Sequence, residues 1–356
     1  MKPTHAEVII VGAGLTGLLL ARYLNQANVS LAIVEARERV GGRILTRQPA
    51  ETTPLEMGAT WLGRKHTELV RLLSELGIGT FEQRLGDTAI YEPISTSPPQ
   101  LVTLPLNADP SFRIAGGTSA LIQNLHKSLR EGQLFAGQTV KTIRQEDGAL
   151  KVLTEDRVFE APVVVSTLPP YLFAQTISVK PALPATLMAA ARGTHTWMGD
   201  SIKVSLAYAR PFWRKVGTSG TVFSNSGPIS EMYDHSNIEE TRFALMGFFN
   251  GSYYSVSREE RLELVLKQLQ NYYGEEAGDF LAYEEAVWRN EPHTYSAYDS
   301  PIVPHQNNGH PAYQQACLDG QLFIAGSETA AAFPGYMEGA VRSAAFVFGE
   351  IKKRFQ

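Results

Sequence analysis

The sequence predicts an α/β protein built on a doubly wound, Rossmann-type dinucleotide-binding unit, and three features of its first 35 residues carry that reading. Val8-Ile9-Ile10-Val11 is an unbroken apolar run, the pattern of a parallel strand covered on both faces. It passes directly into Gly12-Ala13-Gly14-Leu15-Thr16-Gly17, a G-x-G-x-x-G in the context that motif needs. A helix-forming stretch from Leu15 to about Asn28 then leads to a second β-type run that ends at Glu35. Gly12 permits the tight turn, Gly14 lets backbone approach a pyrophosphate, and Gly17 lets the helix pack closely on the strand. The helix N-terminus faces the phosphates, and the Glu35 carboxylate is placed to accept hydrogen bonds from a ribose.

Length and composition bound the rest. A chain of 356 residues buries a large core and divides more readily into two domains than one. A net charge of −4 with scattered basic residues leaves no electrostatic footprint for nucleic acid. The lone cysteine, Cys317, excludes an internal disulfide framework and fits a reducing, cytoplasmic setting. MKPTHAEV leads straight into the first strand and no apolar run reaches the ~20 residues of a membrane span, so a soluble chain without a membrane partner is expected.

The residues after the ribose acid narrow the cofactor. Glu35-Ala36-Arg37-Glu38-Arg39-Val40-Gly41-Gly42-Arg43 resembles the flavin-containing amine oxidase family, in which R-x-G-G-R follows the acid and contacts the FAD pyrophosphate. The resemblance implies a glutathione-reductase-like FAD domain with amine oxidase topology. Gly12, Gly14, Gly17, Glu35, Ala36, Arg37, Gly42 and Arg43 would touch the cofactor. Leu55-Glu56-Met57-Gly58-Ala59-Thr60-Trp61 resembles the family's second FAD segment, with backbone at Gly58, Ala59 and Thr60 beside the flavin ring.

Further along, Leu69, Leu72, Leu73 and Leu76 share one helix face closed by Gly77. Residues 81–110 turn irregular around Ser95-Thr96-Ser97-Pro98-Pro99 and read as an excursion out of the first domain. Gly116-Gly117-Thr118-Ser119-Ala120 resembles the family's G-G-x-S-x-L segment and precedes a helix with Leu121, Ile122, Leu125 and Leu129. Larger relatives carry a long, mostly helical insertion between these points, nearly absent here. A small substrate domain follows, its cavity either more open or closed by a partner. Asp147-Gly148 signals a hairpin, and Val140 is the candidate for a backbone contact to adenine. Val163-Val164-Val165-Ser166-Thr167 is another buried parallel-type strand, and Pro169-Pro170 marks a second exit. These signals place an FAD-binding domain at residues 1–80, 111–175 and 287–356, with a smaller α+β substrate domain at 81–110 and 176–286.

In Ser201-Ile202-Lys203-Val204-Ser205-Leu206-Ala207-Tyr208, Lys203 lies on the polar face of an alternating strand. With Pro211-Phe212-Trp213 downstream, the string resembles the family segment whose lysine reaches flavin N5 through a water. Ser257 and Glu260 form a capping box before a packing helix that ends at Gly274. Trp288 to Tyr298 resembles the family's W-x-x-E/D-P stretch, with Trp288 near the flavin and Tyr298 facing it. His293, His305 and His310 follow no helical or strand spacing, so no metal site is expected there. Gly326-Ser327-Glu328-Thr329 and Phe333 to Val341 match the family's last FAD block. They imply Gly326, Ser327, Glu328 near the ribityl chain, and Met337 backbone near the flavin carbonyl edge. Tyr298 and Tyr336 match two tyrosines that face each other before the flavin. Ala297 stands where cysteinyl-linked relatives have the attachment cysteine, implying non-covalent FAD.

The implied activity is oxidation of a small-molecule amine to an imine, with a hydride equivalent passing to flavin N5 and O2 reoxidising the cofactor to give hydrogen peroxide. Two alternatives stand beside it. An L-amino-acid oxidase needs an arginine aimed at the substrate carboxylate, and the sequence assigns none. A non-catalytic FAD-fold binding protein is opposed by the complete cofactor motifs.

Overall fold

The computed structural model describes residues 3–215 and 217–355, apart from the side chain of Phe355. The apolar run at the start forms strand Val8–Val11, buried throughout because both of its faces are covered. Val8 and Ile10 pack into one cluster with helices Leu15–Gln26 and Met337–Phe355, while Ile9 and Val11 face a second cluster across the sheet. Each such side chain is worth about 1.5–3 kcal/mol in transfer free energy. The strand sits in the middle of an all-parallel sheet ordered Leu134–Phe135, Leu31–Val34, Val8–Val11, Val163–Ser166, Leu322–Ile324. The first helix stops just before Asn28, whose φ of 56° cannot continue it.

The second cluster is roofed by a sheet ordered Thr4–His5, Val158–Ala161, Ala149–Leu153, Thr142–Glu146, Ser178–Lys180. Its hairpin turns at Asp147 and Gly148, both with positive φ (51° and 80°), as the Asp-Gly pair predicts. Residues 176–192 depart from the boundary expected at 175/176. Ser178–Lys180 pairs in parallel with Thr142–Glu146, and helix Ala185–Arg192 buries Leu187, Ala190 and Ala191 in the cluster that holds Ile9. The chain therefore leaves this body only after Arg192. Two smaller differences are local. Leu129 packs on the core from beyond the end of helix Ser119–Lys127, and Glu35 follows strand Leu31–Val34 rather than ending it.

A seven-stranded sheet forms the other body, ordered Phe280–Val287, Ile202–Tyr208, Phe243–Phe249, Ile229–Asp234, Val222–Ser224, Thr88–Glu92, Gln100–Thr103. The excursion at 81–110 supplies its last two strands. Helix Arg258–Tyr273 covers one face, packing Val265 and Leu269 on Ile202, Val204 and Leu206. Against the other face lie Leu55 and Met57, packed on Ala207 and Ala244. Strand Ile202–Tyr208 has a strand on each side and cover on both faces, so all seven residues are buried, Lys203 included.

Close docking of the first helix depends on Gly17, where a Cβ would lie 2.1 Å from the Gly12 carbonyl oxygen. Gly17→Ala would gain about 1 kcal/mol of helix propensity. We expect a net loss of about 2 kcal/mol in urea melts, because helix and turn must separate; equal or higher stability would show that the contact can relax.

Candidate active site

An open cavity of about 1460 Å³, counting its mouth, runs along the C-terminal edge of the parallel sheet. The first turn of helix Leu15–Gln26 points into it. Gly14 at its N-cap has no side-chain hydrogen bond, there is no acid in the first turn, and a Cβ on Gly14 would meet only open space. Such a terminus can receive an anion. Glu35 is buried with both oxygens engaged: Ala13 N–H donates to Oε2 at 2.7 Å and Arg37 N–H to Oε1 at 2.9 Å. The carboxylate thereby fixes the Gly-rich turn relative to the second strand. The Gly41-Gly42 loop locks onto the same turn, Gly41 N–H donating to Ala13 carbonyl at 2.8 Å and pairing with Gly14.

Among the residues the sequence singles out, Gly12, Gly14, Glu35, Ala36, Arg37, Gly42, Arg43, Ala59, Val140, Gly326, Ser327, Tyr336 and Met337 line this cavity. Gly17 serves packing instead. Gly58, Thr60, Glu328, Trp288, Lys203 and Tyr298 stand behind or beside the wall. Gly58 is tight against Arg43, where a Cβ would lie 2.0 Å from the Arg43 carbonyl. Trp288 is fully buried and donates Nε1–H to Met57 carbonyl at 2.7 Å.

Arg43 and Glu328 make a bidentate pair, with Nη2 to Oε2 at 2.9 Å and Nη1 to Oε1 the second contact. Arg43 also reaches Ser327 Oγ at 3.0 Å and Trp197 carbonyl at 2.9 Å. Burial pushes the Glu328 carboxyl upward, but the Arg43 charge and its hydrogen bonds win and hold it below the usual range.

Lys203 is only 1% exposed. Its ammonium donates to Gly58 carbonyl at 2.7 Å and to Thr60 Oγ1, and lies 5.2 Å from the Trp61 ring and 5.3 Å from Phe248. Burial lowers its pKa to about 7, with Glu56 and Glu231 pulling the other way. A solvated strand lysine is thereby excluded by the fold.

Tyr298 and Tyr336 are held separately. Tyr298 Oη accepts from Thr196 N–H at 3.0 Å and its ring packs edge-on to Tyr171, 4.9 Å away. Tyr336 lies 5.6 Å from Trp197 and 6.4 Å from His305, whose ring is nearly parallel to it. Trp197 is the residue sequence reasoning missed. It sits on an irregular loop before Met198 at φ 68°, where no periodicity marks it, yet it lines the cavity and meets both Arg43 and Tyr336. Of the three histidines, His293 lines the cavity, His305 packs on Trp197, and His310 Nδ1 accepts from Ala312 N–H.

A parallel sheet with an uncapped helix terminus, a buried acid after the second strand and a cavity along its C-terminal edge defines a dinucleotide-binding fold. The model of the flavin-containing amine oxidoreductase family matches residues 15–96 and 94–347, and the chain belongs to that family. It is thus a flavin-dependent amine oxidoreductase with FAD as cofactor. The chain is 26% identical to putrescine oxidase of Kocuria rosea, covering 97% of this chain and 95% of that protein. It is 24% identical to a probable flavin-containing monoamine oxidase A of Dictyostelium discoideum, with 99% and 98% covered. Among solved structures, putrescine oxidase bound to putrescine superposes with a TM-score of 0.84 at 24% identity, covering 99% of this chain and all of that one. Cyclohexylamine oxidase from Brevibacterium oxydans gives 0.85 at 18%, with 98% and 99% covered. The alignment to putrescine oxidase spans 457 positions against 356 residues here, so that relative carries segments this chain lacks. The two family matches meet at 94–96, in the loop between strands Thr88–Glu92 and Gln100–Thr103.

Glu328→Gln should cost about 1–3 kcal/mol at neutral pH, because Glu328 is fully buried while Arg43, 18% exposed where it lines the cavity, loses its counter-charge. Because the carboxyl is held below its ordinary value, its contribution is complete above that value and is lost as pH falls through the lowered one. The stability gap between wild type and variant, read by urea melts, should therefore narrow on acidification below about pH 4.3.

Proposed function

We propose that the chain oxidises a small-molecule amine to its imine, with O2 as the electron acceptor. FAD held in the cavity would supply a hydride acceptor at N5 for the amine α-carbon and a route for the two electrons on to O2, giving H2O2 and an imine that water would hydrolyse. The observation that carries this reading is Lys203: a buried amine of lowered pKa, held by the Gly58–Thr60 segment whose neighbour Ala59 lines the cofactor cavity. A group so tuned can hold or release a proton near neutral pH at a site closed to bulk water.

The other residues bind and orient. The first-helix terminus with Gly12 and Gly14 would take the pyrophosphate, Glu35 the ribose, Val140 the adenine edge, and Gly42, Arg43, Gly326, Ser327, Glu328 and Met337 the flavin side. Trp288 sets the Met57 carbonyl and so the path of Gly58 to Thr60. Tyr298 and Tyr336 would steer the amine, with Trp197 between their neighbourhoods. The two cavity-lining arginines are already paired, Arg37 with Glu291 at 2.9 Å and Arg43 with Glu328, which gives no support to carboxylate recognition of an amino acid. Residues 81–110 and 193–287 would form the substrate domain, and a cytoplasmic location belongs to the same proposal.

A peroxide-coupled screen of primary, secondary and polyamines tests the activity, and no turnover with any amine would overturn it. Lys203→Met should slow amine-dependent reduction, reoxidation or both by about 10²-fold in rapid mixing, with FAD content unchanged. With Ala297 before Tyr298 and Cys317, at the bridge to Leu322, outside the cavity lining, acid precipitation should leave FAD in the supernatant, whereas a yellow pellet would show a covalent link.

A further inference from the structure

A second cavity of about 1090 Å³, counting its mouth, opens between the two bodies beside Asn237, Thr241 and Arg242, and ends inside at Glu56, Arg113 and His235. These three are 3%, 6% and 1% exposed. Arg113 Nε and His235 Nδ1 have no hydrogen-bond partner among the described residues, nor have Thr118 Oγ1 and Ser205 Oγ nearby. One is a bare donor and the other, with His235 hydrogen-bonded to the Pro54 backbone, is a bare acceptor. Water can accept from the guanidinium and donate to the imidazole, whereas an anion would meet the imidazole lone pair.

This cavity backs onto the Lys203 site. His235 N–H bonds the Ala244 carbonyl, and cross-strand pairing carries that position to Ala207 and hence to the face that holds Ser205 and Lys203. Segment 54–60 crosses that face, from Pro54 at His235 to Gly58 and Thr60 at Lys203, with Glu56 between. Glu56 accepts from Thr118 N–H at 2.5 Å and Thr46 Oγ1 at 3.0 Å, and among the described residues no ammonium or guanidinium bonds it directly. We propose that this second cavity is a water-filled proton route through which Glu56 exchanges protons with solvent and so sets the charge held by Lys203. No proton passes directly between the two side chains; Glu56 gains or loses one from cavity water, and its charge acts on Lys203 through space.

The inference rests on the reading of Lys203 as the amine beside the flavin. Groups facing Lys203 are Glu56 from the crossing segment, Glu231 and Tyr233 from strand Ile229–Asp234, and Glu284 from strand Phe280–Val287, while Arg113 and His235 flank Glu56. Burial raises Glu56 and lowers Lys203, each partly offset by the other's charge. Neutralising Glu56 must then lower Lys203 further.

The test is a pH titration of the visible flavin spectrum in resting holoenzyme, without substrate. Wild type should show an inflection near pH 7 that Lys203→Met abolishes. Glu56→Gln should move it down by about one unit. If Lys203→Met keeps the inflection, the underlying placement of Lys203 fails. If Lys203→Met abolishes it while Glu56→Gln leaves it unmoved, the present inference fails alone. Should Glu56→Gln not fold, a crystal structure of wild-type holoenzyme decides: ordered waters on Arg113 Nε and His235 Nδ1 support the route, and a dry cavity overturns it.

Discussion

Everything at the centre of the molecule depends on the short segment from Leu55 to Trp61, which is clamped from two sides. On the cofactor side, Met57 N–H donates to Leu45 carbonyl at 2.8 Å and Ala59 N–H to Arg43 carbonyl at 3.1 Å, with Gly58 too close to Arg43 for any side chain. On the sheet side, Trp288 takes the Met57 carbonyl, Lys203 takes the Gly58 carbonyl, and Leu55 and Met57 pack on Ala207 and Ala244. Both carbonyls are buried, and leaving either unpaired would cost about 1–3 kcal/mol. Two bodies with separate sheets are thus held in register by main-chain groups. The geometry between cofactor cavity and lysine follows from that clamp.

Buried charge is the second organising constraint. Glu35, Glu56, Glu328 and Glu338 are all nearly inaccessible, and they are compensated in three ways. Glu35 and Glu56 take backbone N–H groups, Glu328 takes a guanidinium, and Glu338 accepts from Glu68 and Leu69 N–H at the start of helix Thr67–Glu75 while pairing with Arg342. That helix has no cap of its own, so a carboxylate from the last helix of the chain supplies one. Such long-range caps tie the C-terminal helix to the first body electrostatically as well as by burial.

The reading of local signals succeeded wherever one element's own residues decide its shape. The apolar run and glycines at 8–17, the Asp147-Gly148 turn and the Ser257 cap, whose Oγ accepts from Glu260 N–H at 3.1 Å, are short-range physics and stand as the pattern predicts. Trp197 and the Arg113, His235 and Glu56 cluster were illegible, since neither spacing nor composition says which loops meet. The exit after Arg192 was misplaced for a related reason: Ser178–Lys180 reads as an ordinary short polar run, and only its pairing to Thr142–Glu146 assigns it to a body.

By itself the sequence determined the dinucleotide-binding unit, because backbone conformation at glycines, strand periodicity and helix termini act over a few residues, while the family and its cofactor class were legible only through the resemblance of segments such as 35–43, 55–61 and 326–341. Tertiary structure alone decided that Lys203 is buried rather than solvated. Alternation puts it on a polar face, but whether that face meets water depends on segment 55–61 arriving from well over a hundred residues earlier to cover it. Desolvation, and with it the charge of the lysine, is a property of that covering and not of the strand.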